Sequence, residues 1–144
     1  MKPTNRERGQ SLIEAIVAVA AVVLIVTGLI VGTTQALRAS QLARARSLAN
    51  KYSQEAIELT RNLRDSGWTL FQTRSGRYCL AKDNSWPAGP SANCTPNIDN
   101  TYTREAIFNW DGVAERMIVT VRTSWSEGAV TRQSELTTYF TRWR

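Results

Sequence analysis

The chain has 144 residues, 42% of them apolar, with 18 basic and 12 acidic residues and a formal net charge of +6. That length suits one domain of ordinary size, and the absence of histidine removes Ser-His-Asp and Cys-His sites, imidazole metal ligands and the usual base for neutral pH. Two cysteines are too few to close a zinc site, and no glycine-rich phosphate loop occurs.

A mean hydropathy of -0.30 conceals a sharp asymmetry. Ala15 to Leu37 is a 23-residue stretch without a charge, whereas all 12 aromatic residues stand at Tyr52 or beyond. No pair of the acidic residues stands out for carboxylate chemistry. The chain therefore reads as a structural protein and not an enzyme, with no cofactor and no metal expected.

Residues 1–9 carry Lys2, Arg6 and Arg8 against Glu7, and Pro3 and Gly9 argue against a helix there. An apolar run follows from Ser11 through Val31, interrupted by Glu14, Thr27 and Gly28. About 20 apolar residues rising roughly 1.5 Å each cross a hydrocarbon core of about 30 Å. Basic residues before the span predict a cytoplasmic N-terminus, with everything after Leu37 outside the cytoplasm. Gly28 and Gly32 offer either a small-residue packing face or a weak point in the helix; ordinary membrane-helix glycines fit equally well.

Three readings of this segment compete: a secretory signal cut near Thr34-Gln35-Ala36, a plain membrane anchor, or something that needs Glu14. A carboxylate at the centre of a membrane span costs about 2.5–3.5 kcal/mol, less near the interface, and neither bland reading requires one. No cation lies in the span to pair with it, the next being Arg38. Cleavage after Gly9 would supply a partner, because Gln10 would then carry a free ammonium with Glu14 as the fifth residue of the new chain. One helical turn separates them, and an acid in the first turn also suits the helix dipole.

Arg8-Gly9 followed by Gln10-Ser11-Leu12-Ile13-Glu14 and Ala15-Ile16-Val17-Ala18 resembles the N-terminal signature of type IV prepilins and pseudopilins. The resemblance implies cleavage between Gly9 and Gln10 by a prepilin peptidase and N-methylation of Gln10. It further implies Glu14 as the residue that sets register against a neighbour's N-terminus. The partners implied are other pilin subunits, the lipid bilayer and an inner-membrane assembly platform, and the mature form would lie in an extracellular fibre. Two departures, Gln10 in place of the frequent phenylalanine and a span without proline, point towards a minor subunit.

Residues 38–65 continue the helix. Leu37, Ala45, Leu48, Tyr52, Ala56, Leu59 and Leu63 step by threes and fours, with Gln41 filling the gap, a single apolar stripe with a period of about 3.6. Asp65-Ser66-Gly67 closes it, with Gly67 as the expected C-terminal cap. Residues 66–144 read as a β-rich extracytoplasmic module. Glu115 to Trp125 and Ala129 to Trp143 form a hairpin across a glycine turn, with Thr101 to Trp110 and Arg77 to Lys82 as further strands. Met117, Val119, Val121 and Trp125 share one face. A module this small is marginal alone, so it should pack on the helix stripe. The expected fold is α+β: a long N-terminal helix, 10–37 membrane-spanning and 38–65 amphipathic, lying on a small antiparallel sheet.

Cys79 and Cys94 flank a loop with little structure of its own, and outside the cytoplasm they are expected to be joined; two independent buried thiols are the alternative. Arg38, Arg44, Arg46 and Lys51 spread around the helix, which suits headgroups and neighbouring subunits. DNA capture, with Trp68 and Trp86 stacking on bases, is the sharper alternative for a membrane-anchored binding module that never assembles.

Overall fold

The computed structural model describes residues 6–142, with side chains from Ser11 onward. Pro3 of the expected leader and the expected strand end at Trp143 lie outside the described residues. The chain divides into two compact units, Met1–Ala43 and Arg44–Arg144, and one helix, α1 (Arg6–Ser66), contributes to both.

In the first unit the only element described is α1. Gly9 lies inside it, against the expectation that this stretch is not helical. A single glycine costs a helix only about 1 kcal/mol relative to alanine, less than continuous flanking turns supply. Gly28 and Gly32 are likewise helical, and a Cβ at either would meet nothing within 4 Å. The expected weak point does not interrupt the helix.

The second unit is α+β: the last turns of α1 lie on a four-stranded antiparallel meander. Its strands are β1 (Gly76–Cys79), β2 (Tyr102–Asp111), β3 (Arg116–Glu127) and β4 (Val130–Thr141), in the spatial order β1-β2-β3-β4. A two-residue turn, Gly128-Ala129, closes the β3–β4 hairpin with Glu127 opposite Val130. Gly128 has φ +61, so glycine occupies the first central position, the one that a type II′ turn reserves for it. Its twist matches that of the strands and sets the register of the whole hairpin.

Burial alternates along β3 at every step, with Met117, Val119, Val121, Thr123 and Trp125 facing inward. Met117, Val119 and Val121 share a core cluster with Ala56 and Ile57 of α1, Trp125 shares one with Ala49, and Thr123 meets Ser53, while Ala49, Ser53, Ala56, Ile57 and Thr60 are the buried residues of the helix. The buried stripe thus starts later than expected and includes four residues that the apolar pattern passed over, Ala49, Ser53, Ile57 and Thr60. Leu37 is exposed, whereas Ser53 and Thr60 are wholly buried. Both hydroxyls are satisfied. Ser53 Oγ donates to Thr123 Oγ1 at 2.8 Å, and Thr60 Oγ1 donates to the carbonyl of Ala56 at 2.8 Å. A hydroxyl with a partner can replace a methyl in a core at little net cost.

Helix α1 ends at Ser66, but Gly67 is not the left-handed cap. Its φ of 171 is extended, and the chain turns directly into a short second helix, α2 (Trp68–Gln72), absent from the expected layout. That helix delivers Phe71 into the core, where its ring lies 5.9 Å from Phe108 and 5.5 Å from Phe140. Tyr78 and Trp86 extend the cluster, each edge-on to Phe108. Edge-to-face pairs of this kind are worth about 0.5–1.5 kcal/mol beyond the area they bury. Aromatic packing, more than helix propensity, fixes α2.

The outer face of the sheet is polar and charge-paired. Glu105, Arg122 and Glu135 stand directly opposite one another on β2, β3 and β4. Arg122 bonds both carboxylates, at 3.2 and 3.0 Å, and Arg77 on β1 closes the row at 3.1 Å from Glu105. Cross-strand pairs of opposite charge stabilise a sheet by tenths of a kcal/mol up to about 1 kcal/mol each.

Candidate assembly site

Glu14 sits on α1 among residues that the fold leaves uncovered. From Leu12 to Leu37 the large apolar side chains are 47–74% exposed, and α1 is long and apolar enough to cross a membrane. Such a surface is stable only against lipid or other apolar helices. Thr27, Thr33 and Thr34 fit that solvent, since each hydroxyl donates back to a carbonyl of its own helix, those of Val23, Ile30 and Val31. These threonines bring no unsatisfied hydroxyl into a medium without water.

Gly9 and Gln10 lie on the same helix, so their backbones share its axis with Glu14, four residues beyond Gln10. The processing step and the methylation expected at Gln10 concern chemistry that a single chain does not contain. Gly28 and Gly32 lie one turn apart on α1 with open space beside each.

Cys79 and Cys94 are bonded, with Cα atoms 5.5 Å apart. The ring between them holds the polar centre of the second unit, which sequence reading missed. Arg104 on β2 is completely buried. Its Nε donates to the carbonyl of Leu80 at 3.2 Å, and one terminal nitrogen donates to the carbonyl of Ala81 and to Asn84 Oδ1. The other faces the carbonyl of Tyr52 and the carboxylate of Glu55, each at 3.5 Å. One guanidinium therefore ties helix α1, strand β2 and the disulfide ring together, with an acceptor for every N–H. Burial pulls its pKa down, opposed by Glu55, yet an arginine keeps its proton in such sites. The signal was present in the sequence: Arg104 falls on the same alternation as Tyr102, Ala106 and Phe108.

Arg38, Arg44, Arg46 and Lys51, the helix cations considered for headgroups or DNA, are all exposed; Lys51 stands 3.7 Å from Glu55. Trp68 and Trp86, the rings considered for base stacking, are engaged elsewhere. Trp68 packs on Phe71 and Trp110. Trp86 packs on Tyr78 and Phe108, with the Arg74 guanidinium 5.2 Å above its ring. Both rings thus pack within the second unit while staying partly exposed. Among the described residues no group of three or more His, Cys, Asp or Glu is placed to hold a metal ion.

Comparison of the chain with family models, curated proteins and solved structures found no match.

Proposed function

We propose that the chain is a pilin-like structural subunit, inserted in a membrane as a precursor and assembled into a helical fibre of the type IV pilus or secretion pseudopilus kind. A peptidase removes residues 1–9, and the new amine at Gln10 is methylated. The N-terminus faces the cytoplasm and the second unit lies outside it, in keeping with its disulfide. The α1 surface from Leu12 to Leu37 exchanges lipid for the equivalent surfaces of neighbouring subunits, and Glu14 meets a neighbour's N-terminal ammonium. One observation carries this reading. Gly9-Gln10, an acid four residues on and an uncovered apolar surface occur in that order along one helix.

The mass of the N-terminal peptide of membrane-extracted protein tests it. A start at Gln10 supports the reading, an intact leader supports a plain anchor, and a start near Leu37 supports a secreted domain. Glu14→Ala then tests the mechanism. Insertion should be unchanged or improved, because the change removes a penalty of up to about 3 kcal/mol. Incorporation into sheared filaments, relative to membrane abundance, should fall by orders of magnitude. Breaking a buried charge pair costs about 3–5 kcal/mol. Equal incorporation of the variant and the wild type would remove Glu14 from the register-setting role.

A further inference from the structure

Among the described residues, every arginine that the fold buries or half-buries has a carboxylate at 3.5 Å or less, with one exception. Arg64, Arg77, Arg104, Arg116 and Arg122 are paired in this way. Arg74 is half-buried too, yet no carboxylate and no other hydrogen-bond acceptor of the described residues meets its guanidinium. Two aromatic rings hold it instead. Its central carbon lies 5.0 Å from the ring of Tyr78 and 5.2 Å from that of Trp86, and the two rings stand at 77° to each other. A ring face attracts a cation but is a weak acceptor, so five N–H groups still call for oxygen.

This corner is built into the core. Tyr78 on β1 and Trp86 inside the disulfide ring both stand edge-on to Phe108, at 5.3 and 5.7 Å. The guanidinium is therefore oriented before anything meets it, which lowers the entropic cost of binding. Arg74 also lines a cavity of about 310 Å³. Leu63, Leu70, Tyr78 and Ala88 supply its apolar wall, and Arg74 is the one charged side chain among the described residues that line it. Ser66 and Thr73 line it as well. Their hydroxyls donate to the carbonyls of Leu63 and Leu70, at 2.7 and 2.9 Å. With those protons committed, both oxygens can only accept.

We infer that this cavity binds a small organic monoanion, a carboxylate carried on an apolar body. The carboxylate takes the N–H edge of Arg74, and the body lies against Leu63, Leu70 and Tyr78. The planar fork of a guanidinium matches two carboxylate oxygens at once. One unopposed positive charge balances one negative charge. A phosphate dianion would bring a second charge against an apolar wall with no cation to meet it. Hydroxyls that can only accept offer such an anion nothing, but they suit an N–H or O–H elsewhere on the ligand. The volume stands at the lower end of the roughly 300–1,000 Å³ usual for small-molecule sites. The inference is independent of the fibre reading.

Titration of the full chain in detergent micelles with phenylacetate tests this, read by NMR at the Arg74 Nε–H and the Trp86 indole. Both signals should shift saturably and with one dissociation constant. Phenylacetamide, which keeps the shape without the charge, and inorganic phosphate should each bind about tenfold or more weakly, the ratio expected for a lost charge-assisted bond. Arg74→Gln should weaken phenylacetate binding by a similar factor while thermal unfolding stays within a few degrees of wild type. Ala88→Phe fills the cavity from its exposed side and leaves Arg74 in place, and it should weaken binding as much. If Arg74→Gln fails to fold, Ala88→Phe decides alone. Four results would overturn the inference: no saturation with phenylacetate, equal binding of phenylacetamide, equal or tighter binding of phosphate, or undiminished binding by Ala88→Phe.

Discussion

Replacing Arg104 by methionine puts the polar centre of the second unit to the test. The substitution keeps an unbranched apolar stem and deletes five donors. Three backbone carbonyls, those of Tyr52, Leu80 and Ala81, lose a donor, but that of Ala81 keeps the N–H of Asn84 at 3.1 Å and that of Tyr52 lies within helix α1, so the carbonyl of Leu80 is the one left without a partner. Leu80 is wholly buried and Ala81 partly so, so water replaces the lost donors poorly. An orphaned buried acceptor costs about 1–3 kcal/mol. The bond from Arg104 to Tyr52 is long, and Asn84 and Glu55 reach solvent, so those contacts count for little. Release of one desolvated charge offsets part of the loss. The net expectation is a destabilisation of about 1–3 kcal/mol, a sizeable share of the roughly 5–15 kcal/mol that holds a domain together.

Urea unfolding of the full chain in detergent micelles, followed by tryptophan fluorescence, measures this. Every tryptophan lies in the second unit, so the signal reports that unit alone. Arg104→Lys keeps the charge but has three donors at a single point, and it should fall between wild type and Arg104→Met. A loss below about 1 kcal/mol for Arg104→Met, or equal losses for both variants, would refute the claim that this guanidinium joins helix, sheet and ring.

Serine at Cys79 or Cys94 should lower stability by about 3 kcal/mol, the chain-entropy value for a ring of this size, with helix content by circular dichroism nearly unchanged; freely alkylatable thiols in the native protein would contradict it. Ser53→Ala should cost about 1–2 kcal/mol by orphaning the Thr123 hydroxyl, and adding Thr123→Val should recover most of that loss, because removing both partners leaves no unsatisfied group. Asp111 accepts N–H bonds from Ala114 and Val113 and pairs with Arg116, and those contacts, the Ala114 bond first, hold its carboxyl below the ordinary 3.8. Its folded pKa is depressed, so its contribution to the β2–β3 turn should be present above about pH 4 and lost as pH falls through the folded value. A side-chain carbonyl NMR titration with a midpoint at or above the free-aspartate value would refute this.

The β-hairpin was legible because two local codes agreed on it. Alternation ran unbroken from Met117 to Trp125, and Gly128 stood where a two-residue turn needs positive φ. The helix was legible as an element but not in its buried face. Ser53, Ile57 and Thr60 lie on the inward side, and polarity is a poor guide wherever a hydroxyl finds a partner across the interface. Helix α2 was illegible for a related reason. Five residues carry no periodic signal, and what holds them is Phe71 in a core assembled from β2 and β4. Of the site residues, the cysteine pairing followed from compartment and count, whereas Arg104 demanded that an inward parity position be trusted over its charge.

The second unit closes all but one of its surfaces by a different chemistry each time. Helix α1 covers the inner face with small residues, Ala49, Ser53 and Ala56, which let the helix approach the sheet closely. A charged row from Arg77 to Glu135 occupies the outer face and keeps it wet. The disulfide ring covers the β1 edge, and Arg104 secures that ring from within by binding two of its carbonyls and Asn84. The ring thus does more than shorten the unfolded chain: it converts one sheet edge into a finished surface. A sheet sealed at both edges would be an isolated domain, and one open at both would polymerise without limit through its own strands. Among the described residues the β4 edge has no such cover, for no backbone bond reaches it from outside the β3 ladder.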